Sequence, residues 1–410
     1  MILMNKKNMK KILIIHNKYQ NIGGEDIAVD QEVNTLKKYF DVQELYFSNN
    51  FSNYFSDILG LLNSNNKKSN EILNKTLKDF NPNIVYLHNT WFKASLGIFH
   101  ILKSKNIKTV LKLHNFRYDC TRFHRISNHL NENKICFRCG IDKSSFNFYN
   151  KYFAESYIKS FLMNNYGKKY FNIIKSEDFN IFVLTNFHRE YLKKLNIKSK
   201  SIYTQPNFMN FENNIQSVKP KNEFTYAGRI SKEKGLSELI KSFKDANLKD
   251  YVLNIIGTGP MQKQLSEENQ IYPNIRFYGE IDNSKVIEII KNSKAVVTST
   301  KMYEGQPTVL CEASVNKIPS IFPNFGGISE FFPVDYDLSF KQFDYEDLTQ
   351  KFVYASKNDL SEYGSKNYKD SEFYDSDEDG KLVVEVPKKS RIFELLDKDE
   401  FVKKIISAFI

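Results

Sequence analysis

No run of about eighteen apolar residues occurs anywhere in the 410-residue sequence, so no segment is expected to cross a bilayer as a helix. Cysteine is scarce: Cys120, Cys136, Cys139 and Cys311 are too few, in this setting, for a disulfide framework. Proline and glycine number 10 and 16 and form no low-complexity run, while 41% of residues are hydrophobic, which makes packed domains and not disorder the expectation. A long block of one charge is also missing. Although the net charge is +11, the lysines are dispersed through Lys- and Asn-rich segments, which argues against nucleic acid and for an anionic membrane surface or an anionic substrate. The beginning, MILMNKKNMKKILIIHNK, offers positive charge before only five apolar residues and no small-residue cleavage site, so a cytoplasmic location is expected.

What is present is an alternation of apolar strands and helical patterns, repeated in two halves. KILIIHN (Lys11 to Asn17) reads as a buried parallel strand, followed by Gly23 and Gly24 and a helical stretch, EDIAVDQEVNTLKKY. NIVYLHN, KTVLKLHN, IFVLTN and SIYTQPN continue the first half, and three of its strands close on His-Asn, at His16, His88 and His114. The second half restarts with EFTYAGR and runs through VLNIIGTGP, IRFYGEI, AVVTSTK and PSIFPN. The expected architecture is α/β: two Rossmann-like, doubly wound domains facing across a cleft, with ligands at the carboxyl ends of the strands. The expected boundaries are 1–212 for the first domain, 213–222 for a polar linker, 223–390 for the second domain and 391–410 for a terminal helix of open placement.

The most informative segment is EGQPTVLCE, in which Glu304 and Glu312 are separated by seven residues. Gly305 and Pro307 forbid one helix from spanning both, so Glu304 is placed on a loop and Glu312 about two turns into the following helix. A carboxylate beside free helix N–H groups suits a polyol next to a phosphate. Roughly seventy residues upstream, AGRISKEKG supplies Arg229 and Lys234 after a strand, two cations matched to a diphosphate leaving group. Together these residues describe a sugar-nucleotide site.

Over roughly residues 10 to 345 the sequence resembles the family 4 retaining glycosyltransferases, which have the two-domain fold called GT-B. The resemblance rests on IGGEDIAVDQE, KLHNFRYDC, QPN, YAGRISKEKG, IIGTGP, IRFYGEI and EGQPTVLCEA, a set that is specific in its order although each member alone is weak. It implies that Arg229 and Lys234 bind the donor diphosphate and stabilise its growing charge, that Glu304 contacts the transferred sugar, and that Glu312 binds the ribose hydroxyls. It implies donor-side backbone roles for Gly228, Gly257, Ile281, Gln306, Thr308 and Val309, close ligand approach at Gly23 and Gly24, and a place near the donor sugar for His114. The alternatives stay open: a plain strand-to-helix turn at Gly23 and Gly24, with Glu25 and Asp26 favouring the helix N-terminus, and structural histidines at His16, His88 or His114.

The resemblance further implies metal-independent transfer with retention by front-face attack, because no Asp-x-Asp element accompanies these motifs and the first-half strand ends offer histidine and asparagine where a carboxylate nucleophile would stand. No cofactor is expected. The donor would be a UDP- or GDP-sugar and the acceptor a glycan or lipid-linked glycan of a bacterial capsule or O-antigen pathway. A catalytically silent nucleotide-sugar-binding scaffold, an epimerase and a phosphorylase of the same fold are the competing readings.

Two further segments keep two readings each. Cys120, Cys136 and Cys139, with His124 or His129, fit either an incomplete structural zinc site or reduced thiols in a loop. Tyr149, Phe153, Tyr157 and Phe161 recur every four residues among Lys151, Lys159, Lys168 and Lys169, which fits a core-facing helix or one lying at the inner face of the cell membrane.

Overall fold

In a computed structural model of the chain, the described residues are 9–19, 23–49, 60, 62–121, 135–136, 138, 141–142, 156–197, 199–209, 220–369, 375–376, 382–383 and 398–409. The chain divides into two compact units. The first comprises Met1–Lys134, Asp142–Phe208 and Lys398–Ile410, and the second Ile135–Ile141 and Met209–Asp397. Among the described residues, Ile135, Cys136, Arg138 and Ile141, which the sequence places inside the first domain, group with the second.

The first unit is built on strands β1 (Lys11–Lys18), β2 (Asp41–Ser48), β3 (Ile84–Leu87) and β4 (Lys108–Leu113), then, after the small pair β5 (Ile135–Cys136) and β6 (Ile141–Asp142), β7 (Phe179–Val183) and β8 (Ser199–Thr204). Six of these form one sheet in the order β2-β1-β3-β4-β7-β8, every neighbour parallel. KILIIHNK is apolar almost throughout because β1 lies between two strands and is covered on both faces, with Ile14 opposite Glu44 on one side and Tyr86 on the other. The helices are α1 (Gly24–Leu36), α2 (Lys67–Phe80), α3 (Gly97–Ser104), α4 (Tyr157–Ser176) and α5 (Asn186–Lys194). Their starts follow capping chemistry: the side chains of Asn66, Ser156 and Thr185 accept from the amides of Ser69, Lys159 and His188.

In the second unit β9 (Glu223–Ala227), β10 (Val252–Ile256), β11 (Ile275–Gly279), β12 (Ala295–Val297), β13 (Ser320–Pro323) and β14 (Ser339–Phe340) form another parallel sheet, ordered β11-β10-β9-β12-β13-β14. Helices α6 (Leu236–Asp245), α7 (Gln262–Glu268), α8 (Asn283–Asn292), α9 (Thr308–Val315), α10 (Tyr345–Lys357) and α11 (Ser361–Lys369) accompany it. Its core gathers Phe224, Leu253, Ile255, Val296, Leu310, Ile321, Phe322 and Phe352. From β9 the chain builds outward to β10 and β11 on one side and then to β12, β13 and β14 on the other. The direction reverses between β9 and β12, and in the first unit between β1 and β3, which is where open α/β sheets part to make a ligand crevice.

The terminal helix α12 (Lys398–Phe409) settles on the first unit. Phe401, Val402 and Ile405 enter that unit's core, and the Phe401 ring lies 5.0 Å from Phe208. Beneath it sits a fully buried ion pair, Lys112 with Glu32, whose carboxylate also accepts from Tyr86 at 2.9 Å, while the ammonium lies 5.7 Å from the centre of the Phe401 ring. This satisfies a charge pair that would otherwise be costly in a sheet core.

Helix α4 resolves the aromatic segment unevenly. Leu162, Met163, Tyr166, Tyr170, Phe171 and Ile174 are buried, so its later turns are core-facing. Tyr157, Ile158 and Phe161 in the first turns are 58%, 73% and 48% exposed, so the four-residue aromatic stripe faces solvent where it is described. Tyr149, Phe153 and Lys151 lie outside the described residues, as do Cys139, His124, His129 and the linker residues 213–219.

Candidate functional site

The second unit assembles its site from the loops that leave β9 and β12, the two strands at its switch point. After β9, Gly228 takes a φ of 154° and donates to Ile256 O at 3.0 Å, and the Tyr226 hydroxyl holds the Arg229 carbonyl at 2.8 Å. Gly257, at φ 123°, crosses so closely that a Cβ there would stand 2.1 Å from Gly228 O. These glycines are required by two backbones meeting at the strand ends. The turn leaves Arg229 exposed, free to meet an anion from solution.

Ser231 and a single 3-10 turn, Lys232–Lys234, then lead to Gly235 in the left-handed region at φ 69°. A Cβ on Gly235 would fall 2.2 Å from Ser299 O, and the Ser299 hydroxyl donates to Gly235 O at 2.8 Å. Lys301 N reaches Glu233 O at 2.9 Å, and its ammonium pairs with Glu238 at 2.5 Å. The loop after β12 is therefore stitched to the loop after β9, and this brings Lys234 Nζ to 2.5 Å from Glu304 Oε1. Thr300 Oγ1 donates to the same oxygen at 2.7 Å. The two side chains remain 27% and 20% exposed, so the pair can open toward a ligand.

Glu312 stands on α9, which starts at Thr308; the second glutamate is therefore about one turn into the helix and not two. Pro307 O accepts from Leu310 N at 2.9 Å and Cys311 N at 3.0 Å, so proline at this position ends the loop and begins the helix. Of the amides considered for donor contact, Thr308 N donates to Gln306 O at 3.0 Å, whereas Val309 is the second residue of α9. Burial pushes the Glu312 carboxyl up to about 7, against a hydrogen bond from the Asn283 side chain at the start of α8. Ile281 is half-buried in the loop just before that helix. Cys311 is fully buried and its thiol is pushed up by burial, which makes it packing and not a nucleophile.

The first unit has a polar cluster at its own strand ends. His16 Nε2 meets Asp26 Oδ1 at 2.8 Å, both residues buried, and the Asp26 carboxylate accepts from Gly23 N at 2.9 Å and Tyr19 N at 3.3 Å. Burial raises that carboxyl, but the bonds from His16, Gly23 and Tyr19 outweigh it and hold it below the usual range. Asp26 thus closes the Gly23 turn at the start of α1. His114 and His88 share a hydrogen bond, Nε2 to Nδ1 at 3.0 Å, in which one ring must donate and the other accept. Burial, followed by neighbouring positive charge from Lys112 and His16, keeps the His114 imidazole well below its usual range, so it is neutral at pH 7. His88 is its direct partner.

Thr300 and Asn283 escaped the sequence reading, and Tyr226 entered it only as the first residue of YAGRISKEKG, without a role. Each is an ordinary polar or aromatic residue whose role arises only when distant loops meet. Among the described residues no cluster of three metal-ligating side chains occurs, and because Cys139 is not among them the cysteine set is left without a geometry.

The family model for glycosyl transferases group 1 matches residues 208–370, from the end of the first unit through α11, some way past the roughly 345 at which the motif resemblance stops. The putative teichuronic acid biosynthesis glycosyltransferase TuaC of Bacillus subtilis is 32% identical over 110 residues, 26% of this chain and 26% of its own length. The amylovoran biosynthesis glycosyltransferase AmsD of Erwinia amylovora is 28% identical over 104 residues, 25% of this chain and 30% of its own. The matched segments thus span about a quarter to a third of these curated relatives. Among solved structures, Anabaena HepE in complex with UDP and glucose superposes with a TM-score of 0.61 at 11% identity, covering 97% of this chain and 100% of that one, a likeness of fold.

Proposed function

We propose that this chain, whose residues 208–370 belong to the group 1 glycosyl transferases, moves a hexose-type sugar from a nucleoside diphosphate, UDP or GDP, to a glycan or lipid-linked glycan acceptor in bacterial surface-polysaccharide assembly. The observation that carries the reading is the meeting of Lys234 and Glu304 at 2.5 Å across the switch point of the second sheet. A cation suited to diphosphate and a carboxylate suited to sugar hydroxyls are held in one place by loops that the fold stitches together. HepE, which binds UDP and glucose, and two relatives named for polysaccharide biosynthesis support the same reading.

In the proposed reaction Lys234 leaves Glu304 for the diphosphate, and Glu304, still held by Thr300, turns to a hydroxyl of the transferred sugar. Arg229 adds the second positive charge. As the glycosidic bond breaks, negative charge grows on the leaving diphosphate, and two fixed cations lower the energy of that state more than of the ground state. They can neutralise the diphosphate without a divalent ion. Retention by front-face attack follows if the acceptor hydroxyl enters on the side the diphosphate leaves and passes its proton to a diphosphate oxygen. Peripheral attachment to an anionic membrane completes the proposal, through the exposed Tyr157, Ile158 and Phe161 with Lys159 and Lys168 beside them.

The test is incubation with a panel of UDP- and GDP-sugars, with and without glycan acceptors and with and without a chelator. Release of nucleoside diphosphate that requires an acceptor and survives chelation is the expected result. Isomerised donor would mean an epimerase, and donor binding without turnover a silent scaffold. Lys234→Ala and Arg229→Ala should each cost about 2 to 4 kcal/mol in the transition state, a fall of roughly 30- to 1000-fold in kcat/KM.

A further inference from the structure

The first sheet also parts at a switch point, between β1 and β3, and the residues leaving those strands and β4 form a second polar constellation. Within the turn that opens α1, the capping work is done by Asp26, which accepts from Gly23 N and Tyr19 N and pairs with His16. Glu25, one residue earlier, is not needed for that purpose. Its half-buried carboxylate takes the Tyr19 hydroxyl at 2.8 Å and Asn115 Nδ2 at 3.3 Å, both on Oε2. Among the described residues Oε1 has no hydrogen-bond partner.

A carboxylate placed only for stability in such a setting would be expected to pair with a cation in reach. Arg117 is close enough to act on it electrostatically, yet among the described residues no ion pair joins them; the guanidinium lies instead over the rings of Trp91 and Tyr19, 5.4 and 5.6 Å from their centres. Asn115 is fixed in turn by accepting from Arg117 N at 3.0 Å. Next to Asn115, His114 Nδ1 is buried without a partner, and so is Nε2 of its partner His88. A free carboxylate oxygen, a phenol and an amide, with unsatisfied buried ring nitrogens at the same strand ends, form the kind of lining that recognises a neutral polyol, whose hydroxyls donate to the carboxylate.

We propose that Glu25, with Tyr19 and Asn115, is a hydroxyl-binding subsite for a pyranose ring of the acceptor. This rests on the glycosyl transfer proposed above and names a residue of the first unit that takes the acceptor sugar. Oε1 of Glu25 accepts from a ring hydroxyl, Asn115 orients the carboxylate, and Tyr19 holds Oε2 so that the free oxygen keeps its direction.

The experiment is saturation-transfer NMR with the full-length chain and the methyl glycosides of glucose, galactose, mannose and N-acetylglucosamine, alongside calorimetric binding of UDP and GDP. Glu25→Gln keeps the shape and removes the charge; Asn115→Ala removes one of the groups that orient it. At least one methyl glycoside should bind the wild type, at least tenfold more weakly to Glu25→Gln and more weakly to Asn115→Ala, with UDP or GDP affinity unchanged in both. An unchanged urea-unfolding midpoint followed by Trp91 fluorescence shows that the first unit of each variant is folded. Glycoside binding by Glu25→Gln within twofold of wild type would overturn the subsite, as would a wild type that binds nucleotide but none of the four glycosides. Failure of UDP and GDP alike to bind the wild type would instead overturn the transferase reading.

Discussion

At the scale of single residues, the charges of the site are arranged so that each acidic group meets a different fate. Glu304 is held ready by Lys234 and Thr300, Asp26 is spent on a turn, and Glu312 is left in a pocket where burial favours its neutral form. If Glu312 binds the ribose hydroxyls, it does so best as a carboxylate, since only the ionised form accepts through both oxygens. With its carboxyl near pH 7, UDP or GDP affinity should rise about tenfold between pH 6 and pH 8, and Glu312→Gln should bind more weakly with a flat profile. Calorimetry across that range checks it; a wild type without pH dependence would remove Glu312 from the nucleotide site. Stability should move the other way. The folded carboxyl titrates above its ordinary 4.5, so the favourable contribution is complete below that pH and is lost as pH rises through about 7. Above that window Glu312→Gln should be the more stable protein, by up to about 3 kcal/mol at 1.36 kcal/mol per unit.

At the scale of elements, strands buried on both faces were the most legible, although the edge strands β8 and β11 were also read, from SIYTQPN and IRFYGEI. KILIIHN, KTVLKLHN and VLNIIGTGP announce β1, β4 and β10 because central parallel strands need apolar residues on both sides. β2, DVQELYFS, went unrecognised: it is an edge strand without strict alternation, Gln43 and Glu44 being adjacent and Leu45, Tyr46 and Phe47 consecutive, and no turn signal bounds it. The loop after β12 could be placed from Gly305 and Pro307, but its attachment to Gly235 through Ser299 depends on a backbone contact that leaves no sequence pattern. Helix α12 is the clearest gain from structure, since an amphipathic terminal stretch says nothing about which unit it covers. Its anchor is Phe401, fully buried against Phe208 and over Lys112. Phe401→Ala should destabilise the first unit by about 3 to 5 kcal/mol, the cost of emptying an aromatic site in a core. Urea unfolding followed by fluorescence of Trp91, the lone tryptophan and a first-unit residue, reports this directly. UDP affinity, which the proposed site assigns to the second unit, should not change; a loss of nucleotide binding with an unmoved unfolding midpoint would contradict this division of labour.

At the scale of the molecule, the sequence conveyed two doubly wound halves, but not how surface chemistry is distributed. A net charge of +11 states an attraction without a direction. The direction proposed above is that of α4, where the chain exposes Tyr157, Ile158 and Phe161 in the first turns and buries the apolar residues of the later ones. Leu62, 41% exposed, lies along the same helix, its carbonyl reached by Asn165 and Lys169 at 3.4 Å. Apolar side chains ringed by lysines are the arrangement by which a peripheral protein sits at a bilayer surface: the rings enter the headgroup boundary and the ammonium groups meet anionic lipid. Each lysine near such a surface contributes about 1 kcal/mol, screened over a Debye length of about 8 Å at physiological salt. Co-sedimentation with phosphatidylglycerol-containing vesicles should therefore exceed that with neutral ones and weaken as salt is raised. Replacing Ile158 and Phe161 by serine should reduce the part of binding that survives high salt, and replacing Lys159 and Lys168 by glutamine the part that does not. Equal recovery on neutral and anionic vesicles at every salt concentration would mean that this face of α4 meets water only.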